Sequence, residues 1–266
     1  MKALNLYQPQ KNSHKGQNGK LLVIGGSELF HSSIFWSADT ASKIVDLVHL
    51  TSPANENNQI FRKKLKEKFW NGIVTDWKDV EEYIQEDDCV LIGPGMTRGD
   101  GKTKKIVNYL LSKYPNKRWV IDGGALQEVD LGLITKNCIL TPHKKEFERL
   151  NRSADKQIIE ISKRLNGCTI ILKGQTDIVC QGKKCTEIKG GNHGMTKGGT
   201  GDVLAGLVAA LYAKNDSWTA ATMASYINKK AGDNLFKRVG PYFNAEDLVE
   251  EVPLTIYGIM KESSKH

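Results

Sequence analysis

The sequence predicts an α/β fold in which a mostly parallel central sheet is covered by helices on both faces. Three observations carry that prediction. Short apolar runs alternate with segments of helical length along the first two thirds of the chain. The runs are apolar at successive positions, as in strands buried on both faces. Most of the chemically suggestive residues stand just after such a run, at the strand ends where sheets of this kind bind ligands.

The elements follow in order. Residues 21–24 form the first strand, closed by Gly25-Gly26-Ser27, and residues 33–46 have helical length. Residues 47–50 are again strand-like. Residues 56–68 read as a charged surface helix, so the basic run from Arg62 to Lys68 is a solvated face. The run 89–92 ends in Gly93-Pro94-Gly95, and residues 102–113 place apolar side chains at 106, 107, 110 and 111, the helical period. The run 119–121 ends in Asp122-Gly123-Gly124. The run 138–140 ends in Thr141-Pro142-His143, with a helix over 144–150. The run 169–172 ends in Lys173-Gly174. The pattern then changes. Two strands, 177–180 and 185–188, flank Gln181-Gly182-Lys183-Lys184 as a hairpin. A Gly-rich loop, 190–201, precedes two helices rich in small residues, about 202–212 and 218–236. The tail after Glu251 carries no readable pattern. With no low-complexity linker, repeat or heptad, residues 1–266 are expected to form one domain.

Composition narrows the class. The chain has 266 residues, of which 39% are hydrophobic, enough for one large domain or at most two small ones. No apolar run approaches the roughly 20 residues that cross a bilayer. Residues 1–20 are polar and lack an apolar signal core, so a cytoplasmic protein is expected. The five cysteines, an odd number in strand-like segments, read as reduced thiols. Cys180 and Cys185 flank a short turn and can pair, but free thiols are the favoured reading. With 38 Lys+Arg against 30 Asp+Glu, the net charge is +8, which attracts nucleic acid, a membrane surface or phosphorylated small molecules. The basic residues do not alternate with aromatics in a nucleic-acid pattern. The six histidines do not cluster at zinc spacing, and there is no G-x-S-x-G elbow.

The richest stretch is the loop from Gly190 to Gly201, followed by Asp202 and an apolar helix start at Val203. Gly199-Thr200-Gly201 therefore stands at a helix N-terminus, where free N–H groups and the dipole favour an anion such as phosphate. Asp202 in the first turn is either a stabilising N-terminal acid or a base beside a phosphate cradle. Gly95 to Thr103 imitates a P-loop, but five residues separate Gly95 from Gly101 where that motif has four.

Taken together, Gly25-Gly26-Ser27, Gly93-Pro94-Gly95, Thr141-Pro142-His143 with Glu146, Leu172-Lys173-Gly174 and Gly198-Gly199-Thr200-Gly201-Asp202-Val203-Leu204-Ala205-Gly206 resemble the ADP/ATP-dependent NAD(P)H-hydrate dehydratase family. That family is a branch of the ribokinase-like superfamily, and the resemblance runs from about His14 to about Pro253. It implies a three-layer α/β/α fold and a repair reaction. The hydroxyl of hydrated NADH or NADPH is phosphorylated by ADP or ATP with Mg2+. Phosphate then leaves and the ring double bond returns. It implies Asp202 as the base near the hydrate, with Ser33, Gly95 and His143 as further hydrate contacts. Lys173, Gly174, Gln175, Thr176, Asp177, Asn192, Gly199, Thr200 and Gly201 would hold the adenine nucleotide. Glu146 would serve magnesium or the phosphate network, or simply cap its helix, and His143 has the same capping alternative. The chain departs from the family with Ser33 in place of a small alanine, with Asp177 in place of a threonine, and with Gly124 in place of a second acid after Asp122. The resemblance also implies a homo-oligomer, no nucleic-acid or membrane partner, and a separate epimerase. A kinase of the same superfamily acting on a vitamin alcohol, and a non-catalytic nucleotide-binding protein, are the alternatives.

Overall fold

The computed structural model describes residues 6–67, 72–99, 101–150 and 158–263; Lys68 and Asp100, read above as part of a basic run and of the P-loop-like stretch, lie outside them. In chain order the elements are β1 (Lys20–Ile24), α1 (Ser32–Ser42), β2 (Leu47–Thr51), α2 (Asn55–Glu67), β3 (Gly72–Val74), α3 (Val80–Glu86), β4 (Cys89–Ile92) and α4 (Lys102–Lys113). They continue with β5 (Arg118–Ile121), α5 (Gly123–Glu128), β6 (Cys138–Leu140), α6 (Lys144–Leu150), α7 (Ile158–Arg164) and β7 (Thr169–Leu172). The last third holds β8 (Asp177–Gln181), β9 (Lys184–Ile188), α8 (Thr200–Lys214), α9 (Ser217–Val239) and α10 (Ala245–Ser263).

All nine strands share one sheet in the order β3-β2-β1-β4-β5-β6-β7-β8-β9. Pairing is parallel from β3 through β7. It turns antiparallel only at β8 and β9, the expected hairpin. Alternate residues of β1 and of β4 to β7 feed two cores. Leu21 and Val23 of β1 join α1, α8, α9 and α10 on one face. Leu22 and Ile24 join α3, α4, α5 and α7 on the other. Both faces are covered there, so β1, β4 and β6 are apolar at almost every position. This is the three-layer α/β/α architecture expected.

The chain winds outward from β1 to β3, then returns to place β4 on the opposite side of β1. Ligand crevices in open α/β sheets form where the strand order reverses in this way. Gly25-Gly26-Ser27 and Gly93-Pro94-Gly95 stand at this reversal, tied by a hydrogen bond from the Gly26 N–H to Pro94 O at 2.7 Å. Over it lies α8, buried almost all round, which is the mark of a central helix. It crosses α1 so closely that a Cβ on Gly206 would stand 2.3 Å from the Ser37 carbonyl oxygen.

Three expectations need correction. Cys180 and Cys185 form a disulfide, while Cys89, Cys138 and Cys168 are free and buried. The hairpin register makes the two cysteines direct cross-strand partners with Cα atoms 4.2 Å apart, well within bonding reach. The first helix ends at Ser42 rather than 46. The tail is not featureless, since α10 runs to Ser263 with Pro253 inside it. A reciprocal cap starts it: the Asn244 N–H donates to Asp247 Oδ2 at 2.8 Å, and the Asp247 N–H to Asn244 Oδ1 at 3.1 Å. As the sequence suggested, α2 turns basic residues outward, and Arg62 pairs with Asp76 at 2.7 Å.

Candidate active site

Three adjacent strand ends supply the polar centre. Asp122 follows β5, Thr141 follows β6 and Lys173 follows β7. The Thr141 hydroxyl donates to Asp122 Oδ1 at 2.6 Å, and Lys173 Nζ donates to the same oxygen at 2.9 Å. The Lys173 N–H donates to Pro142 O at 2.8 Å, so β6 and β7 are bridged again just past their ends, with His143 opposite Lys173. Burial alone would lower the Lys173 ammonium; the carboxylates of Asp122, Glu146 and Asp202 outweigh it and hold it raised, hence charged.

Asp202 sits in the first turn of α8. Burial raises its carboxyl to about 7, with repulsion from Asp122 adding to the effect, while a hydrogen bond with the Ser33 hydroxyl and the Lys173 charge oppose it. A buried carboxyl that titrates near neutrality has the character of a general base. Its backbone is pinned as well, since Ser37 Oγ donates to Asp202 O at 2.9 Å. Gly95 closes this side. Its φ is +70°, and a Cβ there would stand 2.5 Å from Phe30 O and 3.1 Å from Ser33 Cβ. Ser33, Gly95 and Asp202 therefore come together, as the motifs implied.

His143 and Glu146 form a capping box at the start of α6. The His143 N–H donates to Glu146 Oε2 at 2.9 Å, and the Glu146 N–H to His143 Nδ1 at 3.3 Å. Gln127 Nε2 donates to the other Glu146 oxygen at 3.2 Å. The capping alternative for both residues is thus realised, with the other edge of the half-exposed His143 ring 3.4 Å from Glu146 Oε1.

A cleft of about 830 Å3 opens beside α8, lined by His143, Lys173, Gly174, Gln175, Asp177, Asn192, Thr200 and Gly201 among others. A Cβ built on Gly201 meets only Lys173 Nζ, at 3.9 Å. The glycine keeps the approach open between a helix N-terminus and a cation, an arrangement that suits an anion. Gly199 is the N-cap with φ +93°, wedged against Trp36 and Ala245. Thr200 gives its hydroxyl to the loop, donating to Met195 O at 2.7 Å. Thr176 does not line the cleft.

Two of the expected nucleotide residues shape the walls. Asp177 accepts from the Gly174 N–H at 3.0 Å and from the Ser225 hydroxyl at 2.7 Å, and pairs with Lys229 at 3.2 Å. Lys229 Nζ also reaches the carbonyls of Gly174, Gln175 and Gly190 at 2.9, 3.0 and 3.2 Å. Asn192 Nδ2 donates to Gly232 O and to Asp233 Oδ1, and Asp233 in turn accepts from the Gly191 N–H. These α9 partners were missed in the sequence. Their signal is there: Ser225, Lys229 and Asp233 recur every four residues, a polar stripe on one face of an otherwise small-residue helix. A second cleft, about 600 Å3, begins at Gly26, Ser27, Met96 and Thr97. Lys102 and Thr103 of the P-loop-like stretch line it too, and Gly99 gives its N–H to Glu128 at 2.7 Å.

Among the described residues no group of three or more His, Cys, Asp or Glu is placed to hold a metal ion, and none of their helices is long and apolar enough to cross a membrane.

A parallel sheet with a crevice at its reversal, and a glycine-rich loop opening the central helix, give the fold of a solved protein described as ribokinase-like from Enterococcus faecalis, with a TM-score of 0.81 at 22% identity, covering 96% of this chain and 92% of that one. The chain belongs to the NAD(P)H-hydrate dehydratase family, whose model matches residues 21–254. It is 38% identical over 253 residues to a bifunctional NAD(P)H-hydrate repair enzyme of Methanocaldococcus jannaschii, covering 93% of this chain and 50% of that one. It is 34% identical over 262 residues to an ADP-dependent (S)-NAD(P)H-hydrate dehydratase of Cenarchaeum symbiosum, covering 92% and 90%. The chain thus spans about half the length of the bifunctional relatives it matches. An ADP/ATP-dependent NAD(P)H-hydrate dehydratase from Bacillus subtilis, co-crystallized with ATP/Mg2+, shares the fold with a TM-score of 0.75 at 20% identity, covering 95% of this chain and 94% of that one.

Proposed function

We propose that this chain dehydrates the S-epimer of hydrated NADH or NADPH at the expense of ADP or ATP. The observation that carries the reading is Asp202, a buried carboxyl brought to about 7 within the turn that opens α8 beside the anion space at Gly201. In its unprotonated form Asp202 takes the proton of the ring hydroxyl. The freed oxygen attacks the terminal phosphoryl group, and the bond to the leaving nucleotide oxygen breaks. Negative charge on the transferring group meets the α8 N-terminus and Lys173. Phosphate then leaves with the electron pair of the ring C–O bond, a proton departs from the neighbouring carbon, and the double bond is restored.

Magnesium fits this site as a passenger of the nucleotide. Mg2+ commonly uses one or two carboxylates and the substrate's own phosphates, and the protein offers Asp122 and Glu146 near Lys173 but no cage. When bound, the ion would neutralise phosphate charge.

We place the protein in the cytoplasm, with the described residues folding as one domain, and expect a homo-oligomer. Leu254 and Tyr257, exposed on α10, support the last point. Incubation with NADHX and ADP or ATP is expected to restore the absorbance of the reduced nicotinamide. No recovery, together with a stable phosphoester from a hydroxyethylthiazole or hydroxymethylpyrimidine alcohol, would make the chain a vitamin kinase instead.

A further inference from the structure

At the wall of the 830 Å3 cleft stands a buried polar atom that has no partner among the described residues. Asn228, on α9, lines the cleft and is only 5% exposed, yet its Oδ1 has no hydrogen-bond partner. Among the described residues the one other buried side-chain N or O atom in this condition is Thr75 Oγ1, just past β3 at the sheet edge. Buried polar atoms are nearly always paired, because an orphan forfeits its bonds to water. The neighbouring Lys229 does not answer it, being committed to Asp177 and three carbonyls.

An amide oxygen can only accept, so its missing partner is a donor. Gly201 and Lys173 mark the end of the cleft assigned above to the phosphates, and Asn228 belongs to a different helix. A nucleotide lying in the cleft has two kinds of donor away from its phosphates, an exocyclic amine on the base and the ribose hydroxyls. Met195 and Leu204 line the same cleft. Their apolar surface suits a flat ring and offers nothing to a polyhydroxyl sugar.

We propose that Asn228 is a base-reading residue, its Oδ1 accepting a hydrogen bond from the 6-amino group of adenine and so selecting adenine nucleotides over 6-oxo purines. This rests on the nucleotide site proposed above. A 6-oxo base would set a carbonyl against a buried carbonyl, and such mismatches are discriminated far more strongly than a missing methylene.

The test is calorimetric titration of the full chain with ADP, IDP and 2′-deoxy-ADP. IDP is expected to bind about tenfold or more weakly than ADP, and 2′-deoxy-ADP about as well as ADP. Asn228→Leu is expected to weaken ADP by about tenfold while leaving IDP nearly unchanged, which collapses the preference. Asn228→Asp keeps an acceptor and should keep the preference. Equal binding of ADP and IDP by the unmodified chain would overturn the assignment, as would undiminished preference in Asn228→Leu. Weak 2′-deoxy-ADP with full-strength IDP would give the oxygen to the ribose instead, overturning the base assignment. If the leucine variant fails to fold, the three ligand affinities of the unmodified chain decide alone. Binding of none of the three would instead remove the nucleotide site itself, and this inference with it.

Discussion

Asp202 titrates at about 7 chiefly because it is buried and secondarily because Asp122 stands nearby, while Ser33 and Lys173 pull the other way. A group meant to remove a proton must be unprotonated, so activity should rise with pH through this range and fall as the carboxyl protonates. Ser33 lowers the carboxyl through one hydrogen bond. Ser33→Ala should therefore move the ascending limb of the pH–rate profile to higher pH, with little loss at the plateau. An unmoved limb, or one moved to lower pH, would show that the hydroxyl does not tune the base. At this scale much was legible. Asp202, Gly201 and Lys173 were readable because each stands at a position whose backbone chemistry is dictated by its neighbours. The roles of Asp177 and Asn192 as loop clamps were not, since their partners lie some 40 or more residues away on α9.

Between elements, the β8–β9 pairing sets the turn after β7 beside the loop after β9, with Asp177 opposite Ile188. Lys229 adds a side-chain clamp, spanning Gly174, Gln175 and Gly190 from one buried ammonium. Lys229→Met keeps the stem but removes the charge, leaving Asp177 buried without its cation. It should cost about 3 kcal/mol in denaturant unfolding and weaken nucleotide binding together with stability. Unchanged stability and affinity would show that the loops hold themselves. The sequence displayed the polar stripe on α9 but not its target, because periodicity reports a face and not what it meets. The same limit explains α10. Pro253 interrupted its pattern, although Asn244 and Asp247 marked its start and Leu248, Val249 and Val252 its buried face. The disulfide was missed for a related reason. Spacing allows Cys180 and Cys185 to pair, but only the hairpin register makes them opposite.

Across the whole molecule, the sheet order places its reversal between β1 and β4, and α8 delivers its N-terminus above it. One helix thereby presents Gly201 to the larger cleft and Asp202 to Ser33. The opening prediction of the fold came from continuous apolar strands, and the two separate cores account for them. The net charge of +8 suits a protein whose proposed ligands both carry phosphates. The measurement that bears most directly on this account is NADHX turnover by the unmodified chain and by Asp202→Asn, with ADP or ATP, across about pH 5.5 to 9. The unmodified chain should regenerate NADH at a rate rising with a midpoint near 7, as the titration of Asp202 requires. Asp202→Asn should be slower by at least about 100-fold and lose that limb. Turnover by Asp202→Asn at the unmodified rate, with the same pH dependence, would contradict it.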